Sequence, residues 1–171
     1  MKYFLLFLFV FPAAVTGAQE TEDSVIIWQK NHYQDTLAPY FSLVDVNGNV
    51  WNSDSLRGKT VVLNFWSIYC PACFTELPSI NKVPAQFDAD SVIFISVLFE
   101  KGPKVDSVIA KNHFSYHLCV DGRQIMGDFY NNCFPTHIII DRNGMIRYNI
   151  CGMIDEQVLE DALRKTTAVT K

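Results

Sequence analysis

The 171-residue sequence has no internal repeat, no low-complexity tract and no cluster of basic residues. Its 14 lysines and arginines and 18 aspartates and glutamates give a formal charge of −4, spread along the chain. Proteins that bind nucleic acid usually gather cationic side chains on one face, so nucleic acid is not an expected partner. A chain of this length can bury a full hydrophobic core. We therefore expect one globular domain that does not depend on a disulfide framework.

The sequence also lacks a second pair of closely spaced cysteines or histidines. A structural zinc site usually takes four ligands from two such pairs. The four histidines form no pair, and among the five cysteines only Cys70 and Cys73 stand close together. We therefore expect no metal and no cofactor other than a redox-active disulfide. The odd number of cysteines means that at least one is free or pairs transiently.

The N-terminus differs from the rest of the chain. An apolar run over residues 3–11 follows Lys2, and small residues come after it up to Ala18. This pattern is typical of a signal peptide, and a buried strand or an uncleaved anchor is the alternative. An exported protein is extracytoplasmic, for example periplasmic, where disulfides persist. The predicted division is a signal peptide at 1–18, a lead-in segment at 19–37 and the folded domain at 38–171.

The order of apolar runs and helical patterns predicts an α/β fold. Two runs rich in β-branched residues, at 60–66 and 91–99, indicate strands buried on both faces of a sheet. Between them, a helix is expected from the cysteine pair towards Phe87, bent or ended by Pro78 and Pro84. The shorter predicted elements are a hairpin over 39–51, helices over 103–112, 123–130 and after Asp155, and strands over 116–120, 136–140 and 145–150. Together they predict a central mixed β-sheet flanked by helices, with an antiparallel edge.

The Cys70–Cys73 pair follows a predicted buried strand and begins a predicted helix. The free N–H groups at a helix N-terminus favour a thiolate, so Cys70 is expected to be the exposed nucleophile. Pro71 suits the first helical turn, where its missing N–H has no cost. Cys73 comes one turn later and can resolve a mixed disulfide. A purely structural bridge would close a very small loop and stabilise little, so thiol–disulfide exchange is the preferred interpretation.

Several ordered motifs resemble the TlpA/ResA-like branch of the thioredoxin superfamily. They are residues 58–66, the Cys70–Cys73 motif, Glu76-Leu77-Pro78, and Phe134-Pro135-Thr136 leading into Ile139-Ile140-Asp141. The resemblance covers roughly residues 38–165. It implies a thioredoxin fold with an N-terminal β-hairpin and an inserted α/β element. It also implies an extracytoplasmic thiol–disulfide oxidoreductase, often a reductant in cytochrome maturation or a related thiol pathway. The implied partners are protein thiols or disulfides and an upstream membrane dithiol donor, and we expect a monomer.

The resemblance also suggests where the proton of the resolving thiol goes. Thioredoxins proper carry a buried acid six residues before the first cysteine, and this chain has Asn64 there, which cannot titrate. The TlpA/ResA-like branch uses a glutamate on the helix instead, and Glu76 stands at the matching position. A carboxylate near Cys73 can take its proton. The alternative is an ordinary solvated glutamate.

The resemblance further implies a cis bond between Phe134 and Pro135, in a loop that faces the cysteines. The backbone of Phe134 would then pair with an extended substrate peptide, whereas an ordinary trans proline before a strand is the alternative. Trp66 and Tyr69 complete the expected substrate-binding set. Tyr69 stands where the family often has tryptophan, and either ring can form part of the surface beside the thiol.

Cys133 departs from the family pattern, which commonly has a small residue, often glycine, at this position. It can be a small buried apolar residue, as free cysteines often are. It can also be half of a second disulfide. Counting back from the Asn143-Gly144 turn places Cys133 near Cys151 across two strands, so this pair is the preferred second disulfide. Cys119 ends a predicted edge strand and is not assigned a role.

Two other functions fit parts of the pattern. Thiolates suit Cu(I), and a copper carrier would combine His137 with Cys70 and Cys73, although such carriers usually have a wider cysteine spacing. A non-catalytic binding protein on the same fold is the related alternative. A peroxiredoxin is rejected, because Leu63 stands where a proline is required, although Ser67 fits.

Overall fold

The structure is a computed structural model, and it describes residues 34–169. The predicted signal peptide and most of the predicted lead-in segment lie outside the described residues, so that division of the chain stays a prediction. Among residues 34–169, no helix has both the length and the apolar character to cross a membrane.

The observed elements follow the predicted order. They are β1 (Ser42–Val44), β2 (Val50–Asn52), β3 (Thr60–Trp66), α1 (Pro71–Ile80), a 3₁₀ turn (Val83–Gln86), β4 (Val92–Leu98), α2 (Pro103–Lys111), β5 (His117–Cys119), α3 (Arg123–Asp128), β6 (Thr136–Ile140), β7 (Ile146–Cys151) and α4 (Glu156–Val169).

The central sheet has five strands in the order β5-β4-β3-β6-β7. Strands β3 and β4 are parallel, and every residue of both is buried, as expected for apolar strands covered on two faces. Strand β6 runs antiparallel to β3 and forms a hairpin with β7. The mixed sheet predicted from the sequence is confirmed. Helix α2 and strand β5 form the inserted α/β element, and β1 and β2 form the separate N-terminal hairpin.

Alternate side chains of β3 enter two different cores, because neighbouring residues of a strand point to opposite faces. Val61, Leu63 and Phe65 pack with residues of α3 and of the β1–β2 hairpin. Val62 packs with residues of α1 and α4, and Trp66 packs with Cys73 and a residue of α2. Helices therefore cover both faces of the sheet, and the cysteine pair lies on the face that carries α1, α2 and α4.

Asp45 closes the N-terminal hairpin and joins it to the sheet. Its carboxylate accepts hydrogen bonds from the backbone N–H groups of Asn47 and Asn49, both at 2.9 Å, and from Trp51 Nε1 at 3.0 Å. Burial alone would raise the pKa of Asp45, but these bonds outweigh it and lower the pKa to about 2. Val46 N–H, next in the chain, donates to the carbonyl oxygen of Leu118 at 2.8 Å and fixes the hairpin against the edge strand β5.

Helix α1 ends earlier than the sequence predicts. The expected helix ran towards Phe87 and was to be bent or ended by Pro78 and Pro84; α1 ends at Ile80, Pro78 lies inside it, and Pro84 lies in the 3₁₀ turn that follows. The side chain of Asn81, directly after α1, donates to the carbonyl oxygen of His113 at 2.7 Å and accepts from Ser115 N–H at 2.9 Å. These contacts with a distant loop are not visible in the local sequence.

Candidate active site

The cysteine pair lies where strand β3 leads into helix α1. Cys70 is the N-cap of α1 in an extended conformation, and Pro71 takes the first helical turn. A disulfide joins Cys70 to Cys73, with the two Cα atoms 5.4 Å apart. Cys70 is partly exposed, whereas only 3% of Cys73 is accessible. One sulfur of the pair can therefore be reached by a partner protein, and the other is enclosed.

Backbone donors at the start of α1 face the sulfur of Cys70. The N–H of Cys73 donates to Cys70 Sγ at 3.1 Å. The first turn of α1 contains no acidic residue to oppose the positive end of the helix dipole. When the disulfide is reduced, these two features favour the thiolate of Cys70, which is the form that attacks disulfides.

Glu100 holds the turn between β3 and α1. Its carboxylate accepts hydrogen bonds from Ser67 Oγ and from Ile68 N–H, the latter at 3.1 Å. Ser67 Oγ also accepts from Tyr69 N–H at 3.1 Å. The hydroxyl of Ser67 is thus used within the turn, and Leu63 is fully buried in the core. The groups that a peroxiredoxin would need are not assembled at this pair.

Glu76 follows Cys73 by one helical turn and lies on the buried side of α1. Its side chain is 1% exposed. Glu76 Oε2 accepts a hydrogen bond from Ile154 N–H at 3.2 Å and lies 3.2 Å from His137 Nε2. The alternative of a solvated surface glutamate therefore does not hold, and the chain places a buried carboxylate on the helix that carries both cysteines.

Three residues behind Glu76 have no place in the site predicted from the sequence. His137 on β6 is fully buried, and its Nδ1 lies 3.3 Å from Asn64 Nδ2. Asn64 on β3 accepts a hydrogen bond from Ser96 Oγ on β4 at 3.1 Å. Polar residues within largely apolar strands are the signal that could have found them, and these three lie at the same level of the sheet.

Tyr116 lies close to the same carboxylate. Its burial, and then the charge of Glu76, raise the pKa of the Tyr116 hydroxyl far above its usual value. The hydroxyl has no hydrogen-bond partner within the described part of the chain. Tyr116 therefore stays neutral and is not a proton acceptor at ordinary pH.

The loop before β6 borders the same buried cluster as the cysteine pair. The Phe134–Pro135 peptide bond is cis. Phe134 is partly buried, and its ring centroid lies 5.8 Å from that of Phe99. Phe134 and Cys70 pack against the same buried cluster, which contains Cys73. The structure thus brings together the two cysteines and the loop that the sequence assigns to substrate binding.

The two aromatic residues before Cys70 have different environments. Tyr69 is 68% exposed, and the ammonium group of Lys104 lies 5.8 Å from its ring centroid. Trp66 is only 2% exposed, and its indole packs against Phe74 and Phe114. Trp66 therefore packs in the core next to Cys73 and exposes almost no surface to a substrate. This differs from the substrate-binding role expected from the sequence.

The structure also joins Cys133 to Cys151 by a disulfide, with a Cα–Cα distance of 5.8 Å. Thr136 is the register partner of Cys151, and its hydroxyl donates to the carbonyl oxygen of Cys133 at 2.8 Å. Gly152 N–H donates to the carbonyl oxygen of Pro135 at 2.9 Å. The loop that contains Phe134 and Pro135 is therefore held to the end of β7 by one covalent bond and by hydrogen bonds.

Cys119 is a free, fully buried cysteine at the end of the edge strand β5. Burial, and then the nearby Asp45 carboxylate, raise the pKa of the Cys119 thiol to about 12. This thiol is neutral and enclosed, so it is not a nucleophile in the folded protein.

His137 is not placed to join the cysteines in a metal site. It is fully buried, and both ring nitrogens face partners, Asn64 on one side and Glu76 on the other. Within residues 34–169, no three side chains of histidine, cysteine, aspartate or glutamate are grouped so that they could hold a metal ion.

Comparison with known proteins gives a consistent result. The AhpC/TSA family matches residues 35–149. The chain is 29% identical over 130 residues to "Thioredoxin-like protein YneN" of Bacillus subtilis (strain 168), covering 74% of this chain and 76% of that protein. It is also 29% identical over 132 residues to "Thiol-disulfide oxidoreductase ResA" of Bacillus thuringiensis (strain Al Hakam), covering 76% of each chain.

Among solved structures, the chain is similar to a thiol:disulfide interchange protein of the thioredoxin family from Chlorobium tepidum TLS. The TM-score is 0.67 at 25% identity, and the match covers 78% of this chain and 97% of that one. The family match spans the N-terminal hairpin, the cysteine pair and the Phe134–Pro135 loop.

Proposed function

The chain belongs to the AhpC/TSA family and is a thiol–disulfide oxidoreductase, and we propose that it reduces the disulfides of partner proteins outside the cytoplasm. The observation that carries this proposal is the Cys70–Cys73 pair at the N-terminus of α1. Cys70 is within reach of a partner and faces a backbone N–H donor, while Cys73 is enclosed one turn behind it. No cofactor is needed, because Cys70 and Cys73 supply the two electrons of the reduction when their thiols form a disulfide.

The proposed reaction has two steps. The Cys70 thiolate attacks one sulfur of the partner disulfide, which forms a mixed disulfide and releases the other partner sulfur as a thiolate. Cys73 then loses its proton and attacks Cys70 Sγ, which breaks the mixed disulfide and releases the second partner thiolate. The partner gains two electrons and, from solvent, two protons. Cys70 and Cys73 become a disulfide, and an upstream membrane dithiol donor is proposed to reduce it again.

Glu76 is proposed to accept the proton of Cys73. A buried thiol ionises poorly, so an internal base makes the second step faster. Glu76 is buried on the same helix, one turn from Cys73, and is held by the backbone of Ile154. Glu76→Gln removes the acceptor and should slow the second step at neutral pH, and an unchanged rate with an unchanged pH profile contradicts this role.

The substrate is proposed to bind across the loop that contains Phe134 and Pro135, with exposed Tyr69 at its side. An extended peptide can pair with the backbone of Phe134. Because such pairing does not depend on the peptide's side chains, we expect the protein to recognise an extended segment around a cysteine and not one particular side chain. The position of this loop beside Cys70 supports the proposal.

An extracytoplasmic location is supported by two features. The signal-peptide pattern ends at Ala18, and the Cys133–Cys151 disulfide, which is not part of the exchange pair, is of a kind that persists mainly in oxidising compartments. Expression in a bacterial host with an intact export system tests the location. The mature protein should begin at Gln19 and leave the cytoplasm, whereas an uncleaved cytoplasmic protein contradicts the proposal.

Insulin reduction tests the activity directly. With dithiothreitol as donor, the wild-type protein should accelerate insulin precipitation, and Cys70→Ser should abolish the acceleration. Cys119→Ala is the matched control, because it removes a cysteine that takes no part in exchange. A metal carrier on the same fold gives a different result: no turnover, with stoichiometric Cu(I) uptake lost in Cys70→Ser. That outcome would contradict the proposed oxidoreductase activity and support a metal carrier.

A further inference from the structure

A line of buried polar side chains crosses the sheet and ends at Glu76. Ser96, Asn64 and His137 lie at the same level of three adjacent strands, because Asn64 is the register partner of both of the others. Each is at most 2% exposed. The contacts measure 3.1 Å from Ser96 Oγ to Asn64 Oδ1, 3.3 Å from Asn64 Nδ2 to His137 Nδ1, and 3.2 Å from His137 Nε2 to Glu76 Oε2. Such a line inside an apolar core is costly unless every member has a partner.

The line fixes which nitrogen of His137 carries the proton. The structure orients the Asn64 amide with Oδ1 towards Ser96 Oγ and with Nδ2 towards His137 Nδ1. An amide nitrogen can only donate, and His137 Nδ1 must therefore offer its lone pair. A neutral imidazole with an unprotonated Nδ1 has its proton on Nε2. This Nε2–H points to Glu76 Oε2.

Glu76 thus has two donors on one oxygen, His137 Nε2–H and Ile154 N–H. Two donors on one oxygen fix the orientation of this buried carboxylate. Neither donor uses Oε1, so we assign Oε1 as the oxygen that accepts the proton of the resolving thiol. Among residues 34–169, the titratable side chains with a recorded interaction with Glu76 are His137 on β6 and Tyr116, which directly precedes β5. Tyr116 stays neutral, so His137 is the side chain that can adjust the carboxylate.

We propose that His137 is a positioning residue for the exchange reaction: held by Asn64 and Ser96, it donates to Glu76 Oε2 and, together with Ile154 N–H, holds this carboxylate one helical turn from Cys73. This inference rests on the proposed function. Asn64 stands where thioredoxins have a buried acid. In this chain its amide sets the tautomer of His137, and His137 in turn supports a different acid, Glu76. Asn64 is therefore part of the proton pathway although it cannot titrate.

The step that His137 assists is the second half of the exchange. The S–H bond of Cys73 breaks, its proton moves to Glu76 Oε1, and the electron pair on sulfur attacks Cys70 Sγ. The Cys70–partner bond breaks, and the partner leaves as a thiolate. Without His137, Glu76 keeps only one of its two donors, so its carboxylate is less firmly placed and accepts the proton more slowly.

A single-turnover experiment isolates this step. Protein reduced at Cys70 and Cys73 is mixed in a stopped-flow device with an excess of a chromogenic aryl disulfide. The first release of coloured thiolate reports the attack by Cys70 and depends on reagent concentration. The second release reports the attack by Cys73 and does not. The rate of the second release is measured between pH 5 and pH 10.

His137→Phe removes the donor but keeps a ring in the core. We expect the second release to slow by about tenfold or more near neutral pH, with the difference disappearing above about pH 9, where solvent base removes the proton. His137→Gln can still donate to Glu76 and should stay within about threefold of wild type. Ile139→Ala, on the same face of the same strand, is the control for general damage to the core. It should leave the pH profile unchanged.

A second measurement does not depend on activity or on a variant that folds poorly. The ¹⁵N shifts of His137 in the wild-type protein should show an unprotonated Nδ1 and a protonated Nε2 across neutral pH. Asn64→Asp places an acceptor opposite Nδ1, so it should move the proton to Nδ1 or charge the ring. It should also alter the pH profile of the second release. A wild-type His137 protonated at Nδ1 overturns the proposal.

The outcomes separate this inference from the function on which it rests. If Glu76→Gln slows the second release while His137→Phe does not, the positioning role is wrong and the exchange function stands. If His137→Phe and Ile139→Ala change the profile equally, the effect of His137 is structural and the inference is wrong. If Cys70→Ser still reduces insulin, the exchange function fails, and the inference fails with it.

Discussion

Removing the Cys133–Cys151 disulfide should lower the free energy of unfolding by about 3 kcal/mol. The two cysteines are separated by 18 residues in the sequence. A cross-link that closes a loop of this length restricts the unfolded chain by roughly 3 kcal/mol at 25 °C. Both side chains are only partly buried, so Cys133→Ala with Cys151→Ala should leave no large cavity. The folded loop keeps its hydrogen bonds to Thr136 and Gly152. The loss should therefore come mainly from the unfolded state.

Urea unfolding of the oxidised wild-type protein and of the double variant measures this difference. The melting temperature should fall with it, by roughly 6–12 °C for a domain of this size. With excess dithiothreitol, most of the difference between the two proteins should disappear, because the wild type then has no second bridge either. Oxidised proteins that unfold within about 0.5 kcal/mol of each other would refute the reasoning. Alkylation of all five cysteines in denatured, unreduced wild type would refute it too.

Three further predictions concern other residues. The pKa of Asp45 is about 2 in the folded state and about 3.9 in an unfolded chain, so its stabilisation is present above pH 4 and lost between about pH 4 and pH 2. After allowance for solvent screening, Asp45 contributes about 1 kcal/mol to the free energy of unfolding. Asp45→Asn should therefore lose less stability than the wild type as the pH falls from 4 to 2, and an equal loss in the two proteins contradicts the prediction. Glu100→Gln loses one of the two acceptors for Ser67 and Ile68, which should cost about 1–2 kcal/mol in urea unfolding, and an unchanged stability contradicts it. Burial, and then Asp45, raise the pKa of Cys119 to about 12, so iodoacetamide at pH 8 should label this thiol only after unfolding; labelling of the native protein contradicts the burial.

The sequence predicts those parts of the fold whose causes are local. Strand β3 is a run rich in β-branched and aromatic residues, interrupted by Asn64, and the Asn143-Gly144 turn joins β6 to β7 as predicted. The start of α1 follows from Cys70 as N-cap and Pro71 after it. In these places the residues themselves favour the observed backbone, and the structure agrees with the prediction to within a residue or two.

Features that depend on distant contacts are not predictable in the same way. Asn81, directly after α1, binds a loop more than thirty residues away. Trp66 is buried by Phe114, which is remote in sequence. His137 has no local motif that marks it as a partner of Glu76.

The polar line behind Glu76 shows the same limit most clearly. Its members come from three strands and a helix, and they meet only because β6 pairs with β3 in one particular register. A shift by one residue would turn His137 to the opposite face of the sheet. From the sequence, Asn64 only marks the position where the buried acid of thioredoxins is absent. In the structure, its amide contacts His137 and Ser96.

The central claim is that Cys70 attacks and Cys73 resolves, and trapping tests it most directly. In Cys73→Ser the second step cannot occur, so the reduced variant should form a stable one-to-one mixed disulfide between Cys70 and a disulfide-containing peptide. Mass spectrometry should place the bond on Cys70, and dithiothreitol should release the peptide. Cys70→Ser should form no such adduct. An adduct on Cys73 in Cys70→Ser, or no adduct in Cys73→Ser while the wild type still reduces the peptide, would contradict the account.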